Sequence, residues 1–359
     1  RWWLAVGAIA GVALESKYSV VFFTGGLIVA LLALPQRRAL ATPWFFAGAA
    51  VAALLVLPNL LWQGAHGYPM STLLRDANEY KNVRLSPLQY AVTQLLITHP
   101  LIAPVWVIGL WSLLRGRTER FLGVAYLLLI AQMIALHGKH YYPGAVYPVL
   151  IAAGAVAVDR WTMRAVLWRP ALVAYVVLAG AVLVPLLMPV LPEGAMSSYD
   201  RAALRLLSRE INMARTDDST IGNLPPDWAD MHGWRDLAVT VASVYNSLSP
   251  SQRAQAAILA SNYGEAAAID FFGHAYGLPP AISGHNQYWV WGTRGYSGNV
   301  IIDVHGKCER GLFRSRRVAV RFSNPWGRPF ENGFPISVCE GITTPLAAVW
   351  PKFRDYNQI

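Results

Sequence analysis

Leu136–Leu150 reads LHGKHYYPGAVYPVL, and two apolar runs, Phe121–Leu136 and Pro143–Val158, close on it from either side. A polypeptide in lipid must satisfy its backbone hydrogen bonds within helices, so a polar break between two helix-length apolar runs marks either an interface or the lining of a cavity. Gly138 and Pro143 punctuate a turn here. Tyrosines belong at membrane interfaces and a lysine there can snorkel to water, so an aromatic belt is one reading. The other is a built site. Lys139, His140, Tyr141 and Tyr142 are consecutive, and Tyr147-Pro148 carries polar, backbone-disrupting character into the following run, which is tolerated where a helix borders a cavity.

Either reading makes this a polytopic α-helical membrane protein, and the composition agrees. Of 359 residues 55% are hydrophobic and only 14% charged, too apolar for an ordinary soluble domain. The net charge of +10 does not argue for nucleic acid, because the arginines sit in short clusters between apolar runs, where positive-inside topology accounts for them. The lipid bilayer is the expected partner. The chain opens on Arg1 and runs straight into an apolar stretch without an n-region or cleavage site, so it is expected to be the back portion of a longer protein.

Working outward, further apolar runs lie at Trp2–Leu14, Val20–Leu34, Phe45–Trp62, Leu88–Leu114 and Ala171–Val190, giving about seven helices over residues 1–191. Several fall short of the ~20 residues of a perpendicular span. The basic clusters Arg37-Arg38, Arg115-Arg117-Arg120 and Arg160-Arg164-Arg169 occupy alternate connections. Placing them in the cytoplasm puts Glu15-Ser16-Lys17-Tyr18, the loop Gln63–Pro87, LHGKHYYPGAVYPVL and everything after Val190 on the opposite face. Ser86-Pro87 reads as an N-cap followed by proline in the first turn, and His99-Pro100 as a break or kink in the long run behind it.

Charged residues between short spans are functional by default. Glu15 and Lys17 could simply be a helix end facing water, but Lys17 shares its predicted face with Lys139. Two lysines, the loop cations Arg75, Lys81 and Arg84, and several tyrosines converging on one interface suit an anionic head group such as a lipid phosphate or diphosphate.

From Pro192 the polarity becomes ordinary, and residues 192–359 read as a small α/β domain outside the cytoplasm. Helices are expected at Tyr199–Arg215, Trp234–Leu248 and about Gly264–Tyr276, the last capped by Ser261-Asn262 and closed by Gly277. Ala256–Ala260, Gln287–Trp291, Asn299–Val304 and Arg317–Phe322 are strand candidates, in a sheet containing a β-α-β unit. NYGE at a strand-to-helix junction invites a phosphate, but Glu265 in the first turn would repel one, which favours a structural role. His285, Asn286, Tyr288, Trp289 and Trp291 could line a sugar surface or pack a core; alternation does not separate the two. Cys308 and Cys339 are either a disulfide or two buried thiols. No zinc-type His/Cys spacing, Walker motif, GxSxG elbow or dinucleotide fingerprint occurs.

The motifs ALESKYS, a span ending in PQRR, LPNLLWQGAHGYP and GKHYYPGAVYPVLIAAGA together resemble the C-terminal membrane half of glycosyltransferase family 39, the dolichyl-phosphate-mannose protein mannosyltransferase-like group that includes bacterial relatives of the lipid A aminoarabinose transferase. NYGEAAAIDFFG and ISGHNQYWVWG are similar to the C-terminal domain of uncharacterised bacterial members. The resemblance implies a GT-C-like fold that moves a sugar, with inversion, from a polyprenyl-phosphate donor to an envelope glycan, lipid or protein acceptor on the periplasmic face of the bacterial inner membrane. The general base would be an aspartate in a loop expected upstream of Arg1, so no catalytic residue and no metal ligand is assigned here. No cofactor is visible, although a divalent metal takes part in some members.

Lys17, Lys139 and Tyr142 match the family's membrane-proximal pocket. With Tyr141, Tyr147, Arg75 and Arg84 they are the expected donor-phosphate contacts, and His66, Tyr68, His137 and His140 the candidates for sugar or acceptor contact. Two other classes fit the same residues: a transporter or flippase holding a lipid-linked saccharide without breaking a bond, and an envelope assembly protein binding through the soluble domain.

Overall fold

The computed structural model describes residues 1–162, 168–213, 220, 222–306, 308 and 311–356; Arg164, Arg215 and the side chain of Lys81 lie outside the described part. The chain divides into two compact units, Arg1–Leu187 with Ala203–Asp218, and Met188–Ala202 with Ser219–Ile359.

In the first unit the helices are α1 (Trp2–Ser16), α2 (Val20–Ala33), α3 (Pro43–Ala65), α4 (Pro69–Asp76), α5 (Pro87–Ile97), α6 (Ala103–Arg115), α7 (Arg120–Ala135), α8 (Tyr147–Thr162) and α9 (Trp168–Leu187). Every apolar run carries a helix. Leu88–Leu114 carries two, α5 and α6, because His99 turns into a left-handed conformation (φ 73°) and Pro100 cannot donate the next helical bond. Ser86 caps α5 in a reciprocal box with Gln89, with Pro87 at the first helical position.

Three helices, at Pro43–Ala65, Tyr142–Thr162 and Trp168–Pro185, are long and apolar enough to cross a membrane. The apolar helices α1, α2, α6 and α7 have 13 to 16 residues. At ~1.5 Å per residue they reach ~20–24 Å, short of a ~30 Å hydrocarbon core.

Small residues set the closest helix pairs. A Cβ on Gly7 of α1 would strike the carbonyl of Gly48 in α3, and a Cβ on Gly109 of α6 that of Leu150 in α8. Bare glycine lets backbones approach in this way, which is how helices associate where lipid removes the hydrophobic drive. The result is a bundle with two distinct ends. At one, the Gln36 amide donates to the carbonyls of Arg117 and Thr118, joining the first two arginine connections, and the Trp3 indole donates to Ala39. The opposite ends of α1, α2, α3 and α7 carry Lys17, Tyr18, His66 and the stretch after Ala135.

α10 (Glu193–Met213) follows, then the elements of the second unit: α11 (Pro226–Ala229), α12 (Trp234–Asn246), α13 (Pro250–Arg253), β1 (Ala256–Ala260), α14 (Tyr263–Phe272), β2 (Ile282–Ser283), α15 (Gln287–Trp291), β3 (Val300–Val304), β4 (Phe313–Arg321), β5 (Pro335–Ile342) and α16 (Leu346–Val349). The sheet order is β2-β1-β3-β5-β4. β1 runs parallel to β2 and β3, while β5 is antiparallel to β3 and β4.

Strand periodicity sends alternate residues to two covered faces. Ala256, Ile258, Ala260, Val300, Ile302, Ile336 and Val338 meet Leu237 and Val241 of α12 and Ile269 of α14. Ala257, Leu259, Ile301 and Cys339 meet Leu346, Val349 and Trp350. β4 is an edge, and Arg314, Arg316, Arg317 and Arg321 along it discourage pairing with another chain.

Four features differ from the sequence reading. Gln287–Trp291 is a short helix, not a strand, because the indoles of Trp289 and Trp350 each donate to the other's carbonyl and hold the turn in place. The strand expected at Arg317–Phe322 begins at Phe313. β5 was not read as a strand at all. The helix expected to Tyr276 ends at Phe272 and tightens to a 3₁₀ turn, closed by left-handed Gly277 (φ 71°). Of the two readings for the cysteines the structure has the disulfide, Cys308–Cys339, with Cα atoms 6.7 Å apart.

Candidate functional site

At the end of the bundle away from the arginine connections, the turn after α1 meets the turn after α7. The Lys17 ammonium lies 4.9 Å from the centre of the Tyr141 ring and 5.1 Å from that of Tyr142. The Lys139 ammonium lies 5.9 Å from the same Tyr141 ring. Tyr141 and Tyr142 meet edge to face at 5.1 Å. The structure thus brings together Lys17, Lys139, Tyr141 and Tyr142 from turns far apart in sequence. Two like charges gathered at one ring repel, and each cation–π contact returns only ~0.5–1 kcal/mol at an exposed site. An anion between the ammonium groups removes that repulsion and takes up their donors.

The stretch carrying Lys139 and Tyr141 is held from behind. Tyr90 of α5 donates its hydroxyl to the carbonyl of Lys139 at 3.3 Å, and Gln94, one turn on, donates its amide to the carbonyl of His140 at 3.0 Å. Gln94 is fully occupied, because its side-chain oxygen accepts from Tyr147 at 2.7 Å and Tyr147 meets the Tyr126 hydroxyl at 3.3 Å. Tyr147 is therefore not at the ammonium groups, where the sequence reading put it. It is buried at 5% exposure among Trp106, Tyr126 and Leu150, because the 3₁₀ turn Tyr142–Val146 rotates it into the core.

Removing Gln94's polar atoms takes away a donor to the His140 carbonyl and the acceptor of the Tyr147 hydroxyl, which keeps its contact with Tyr126, so Gln94→Leu is expected to cost about 1–3 kcal/mol of stability. It should also lower the affinity of the cluster for an anionic lipid. Thermal melting and binding to vesicles containing polyprenyl phosphate check the two effects, and unchanged vesicle binding would show that the turn does not depend on Gln94.

A second network fixes the Lys17 turn. Tyr18 donates to Asn59, whose amide donates to Glu15 at 3.3 Å. Gln63 donates to the Tyr18 hydroxyl at 3.3 Å and accepts from the Met70 backbone at 3.2 Å. Asn59, Gln63, Tyr90 and Gln94 were not singled out from the sequence, yet each is a polar residue inside or at the end of an apolar run, which is a readable signal.

The remaining sequence candidates of this unit are exposed, apart from one. Arg75 is exposed and pairs with Asp76 at 3.5 Å. Arg84 is exposed and makes no ion pair among the described residues. His66 stacks on Trp62 at 4.2 Å and donates to its carbonyl. Tyr68 and His137 are exposed with left-handed backbones (φ 55° and 51°). His140 alone is buried, edge to face with Tyr141. In the second unit, Tyr288 and His285 are buried and Trp289 packs on the core, while Trp291 is exposed beneath Arg294.

A bundle of apolar helices, three of them long and apolar enough to cross a membrane, presents two lysines and two tyrosines at one end, which marks a membrane-associated protein. Residues 1–62, which are α1, α2 and most of α3 with Lys17 among them, match the family of dolichyl-phosphate-mannose-protein mannosyltransferases. The resemblance read from the motifs is borne out over that stretch, and it supports a membrane glycosyltransferase in general terms. No curated protein and no solved structure matches the chain.

Proposed function

We propose that the chain carries the donor-phosphate site of an inverting membrane glycosyltransferase, which moves a sugar from a polyprenyl-phosphate to an envelope acceptor on the periplasmic face of a bacterial inner membrane. The observation that carries this is the convergence of Lys17 and Lys139 on Tyr141. In such a transfer the glycosidic bond to phosphate breaks, and the lipid phosphate leaves with the bonding electrons. Fixed cations beside the leaving oxygen stabilise the charge that develops there. Tyr142 lines the same pocket, and the lipid tail reaches it sideways from the bilayer. Arg75 and Arg84 serve as further cations for the donor phosphate, and His66, Tyr68, His137 and His140 as contacts for the sugar or acceptor. The family match supports the reaction class. The arginine connections at the far end of the bundle support the orientation, and a disulfide in the second unit supports an oxidising compartment for it.

The test is reconstitution of the whole natural chain in proteoliposomes with labelled undecaprenyl-phosphate hexose or pentose. Release of free polyprenyl phosphate in step with sugar appearing on acceptor is expected. Donor that crosses the bilayer with its glycosidic bond intact would make the protein a flippase instead.

A further inference from the structure

We propose that Glu265, His305 and Glu331 of the second unit form a binding site for a divalent transition-metal cation of the zinc and manganese class. The sheet supplies the setting. From β1 the chain passes through α14 to β2 on one side, while β3 lies on the other side of β1. The ends of β1 and β3 therefore part at a topological switch point, where open α/β sheets place their ligands. Glu265 stands in the first turn of α14, directly after β1; His305 is the residue after β3; Glu331 comes from the 3₁₀ turn Pro329–Glu331.

One ligand atom from each of the three lies within 4.8 Å of the others. His305 Nδ1 is 2.8 Å from Glu265 Oε1, close to the ~3 Å edge of a six-coordinate site with ~2.1 Å bonds. Two carboxylates and an imidazole form an oxygen-rich borderline set, which suits zinc or manganese better than soft copper(I).

The state without a cation is unsatisfied. Glu265 is 0% and Glu331 6% exposed, and neither pairs with a lysine or arginine among the described residues. Glu331 Oε1 accepts from the Asn262 amide at 2.8 Å, but Oε2 is buried with no hydrogen-bond partner. The other two ligands are already oriented. Glu265 Oε2 accepts from Ser261 N–H at 2.7 Å, and the His305 ring stacks on Phe334 at 4.3 Å. His305 is a quarter exposed, which gives an ion its way in from solvent.

The test uses the full chain, stripped with chelator and titrated with Zn²⁺ or Mn²⁺ alone, with calorimetry for affinity and elemental analysis after desalting for stoichiometry. One ion per chain is expected, together with a higher melting temperature for the loaded protein. Glu331→Gln keeps the side chain's shape and its bond to Asn262, and His305→Asn suits the left-handed backbone there (φ 76°), so both variants should fold. Each should weaken binding at least tenfold, since even outer-shell changes cost ~10–100-fold. Absence of a bound ion on the wild-type chain overturns the proposal. Equal affinity in wild type and both variants overturns it as well. If either variant fails to fold, the other and the wild-type stoichiometry decide.

Discussion

Replacing Lys17 and Lys139 together by alanine is expected to lower sugar transfer from a polyprenyl-phosphate donor by about 10²–10³-fold, the loss seen when a fixed group that stabilises developing charge is removed. The two ammonium groups face one ring, so they act on one anion and their effects should not multiply; each single alanine variant should already show most of the loss. The split between kinetic constants is informative. A cation that binds ground-state phosphate and departing phosphate equally moves only KM, whereas one whose contact strengthens as the bond breaks lowers kcat. Lys139→Arg keeps the charge but changes the geometry and should fall between, because a planar guanidinium does not replace a compact ammonium. Tyr141→Phe keeps the ring and should change little, while Tyr141→Ala removes the surface both lysines share. Initial rates in proteoliposomes with the whole natural chain check these outcomes. A double alanine variant within about threefold of wild type would remove the lysines from the donor site.

What the sequence made legible follows the range of the interactions involved. Apolar runs, the Ser86-Pro87 cap and the Asn262 cap rest on contacts a few residues apart, and the structure has each of them. The break at His99-Pro100 is equally local. The convergence of Lys17 with Lys139 was reached through topology, because charge placement assigns ends of a bundle without requiring contacts. Where long-range contacts decide, local reading failed. Gln287–Trp291 is rich in strand formers, yet an indole exchange with Trp350 makes it a helix. β5 has proline at one end and Gly341 near the other, and its strand character comes from pairing with both β3 and β4. Tyr147 looked like a neighbour of the lysines, but after the 3₁₀ turn Tyr142–Val146 it enters the core and bonds Gln94. The reading of Glu265 rested on its own helix, whereas His305 and Glu331, which stand beside it, lie far along the chain.

Gly154→Leu and Gly109→Leu are expected to do the greatest structural damage in the first unit. A Cβ at Gly154 meets the carbonyl of Val105, and one at Gly109 the carbonyl of Leu150, so the obstacle on each side is backbone. A flexible side chain could swing away; a helical carbonyl moves only if its helix moves. Overpacking where side chains can adjust costs ~1–3 kcal/mol, and a rigid obstacle places these variants at or beyond the upper end. Separating α6 from α8 would also open the cluster of Trp106, Leu113, Tyr126, Tyr147 and Leu150 that the pair encloses.

The damage should travel to the site, because α8 begins where the turn Tyr142–Val146 ends, and that turn follows Lys139 and Tyr141 directly. Gly180→Ala is the control: it sits in α9, and an added Cβ there meets nothing within 4 Å. In detergent, the two leucine variants should melt well below wild type by tryptophan fluorescence or lose the monodisperse form altogether, while Gly180→Ala melts with wild type or slightly above it. A Gly154→Leu protein that melts with wild type would mean that α6 and α8 do not approach through their backbones. The positioning of Lys139 and Tyr141 would then rest on contacts such as the Tyr90 and Gln94 hydrogen bonds.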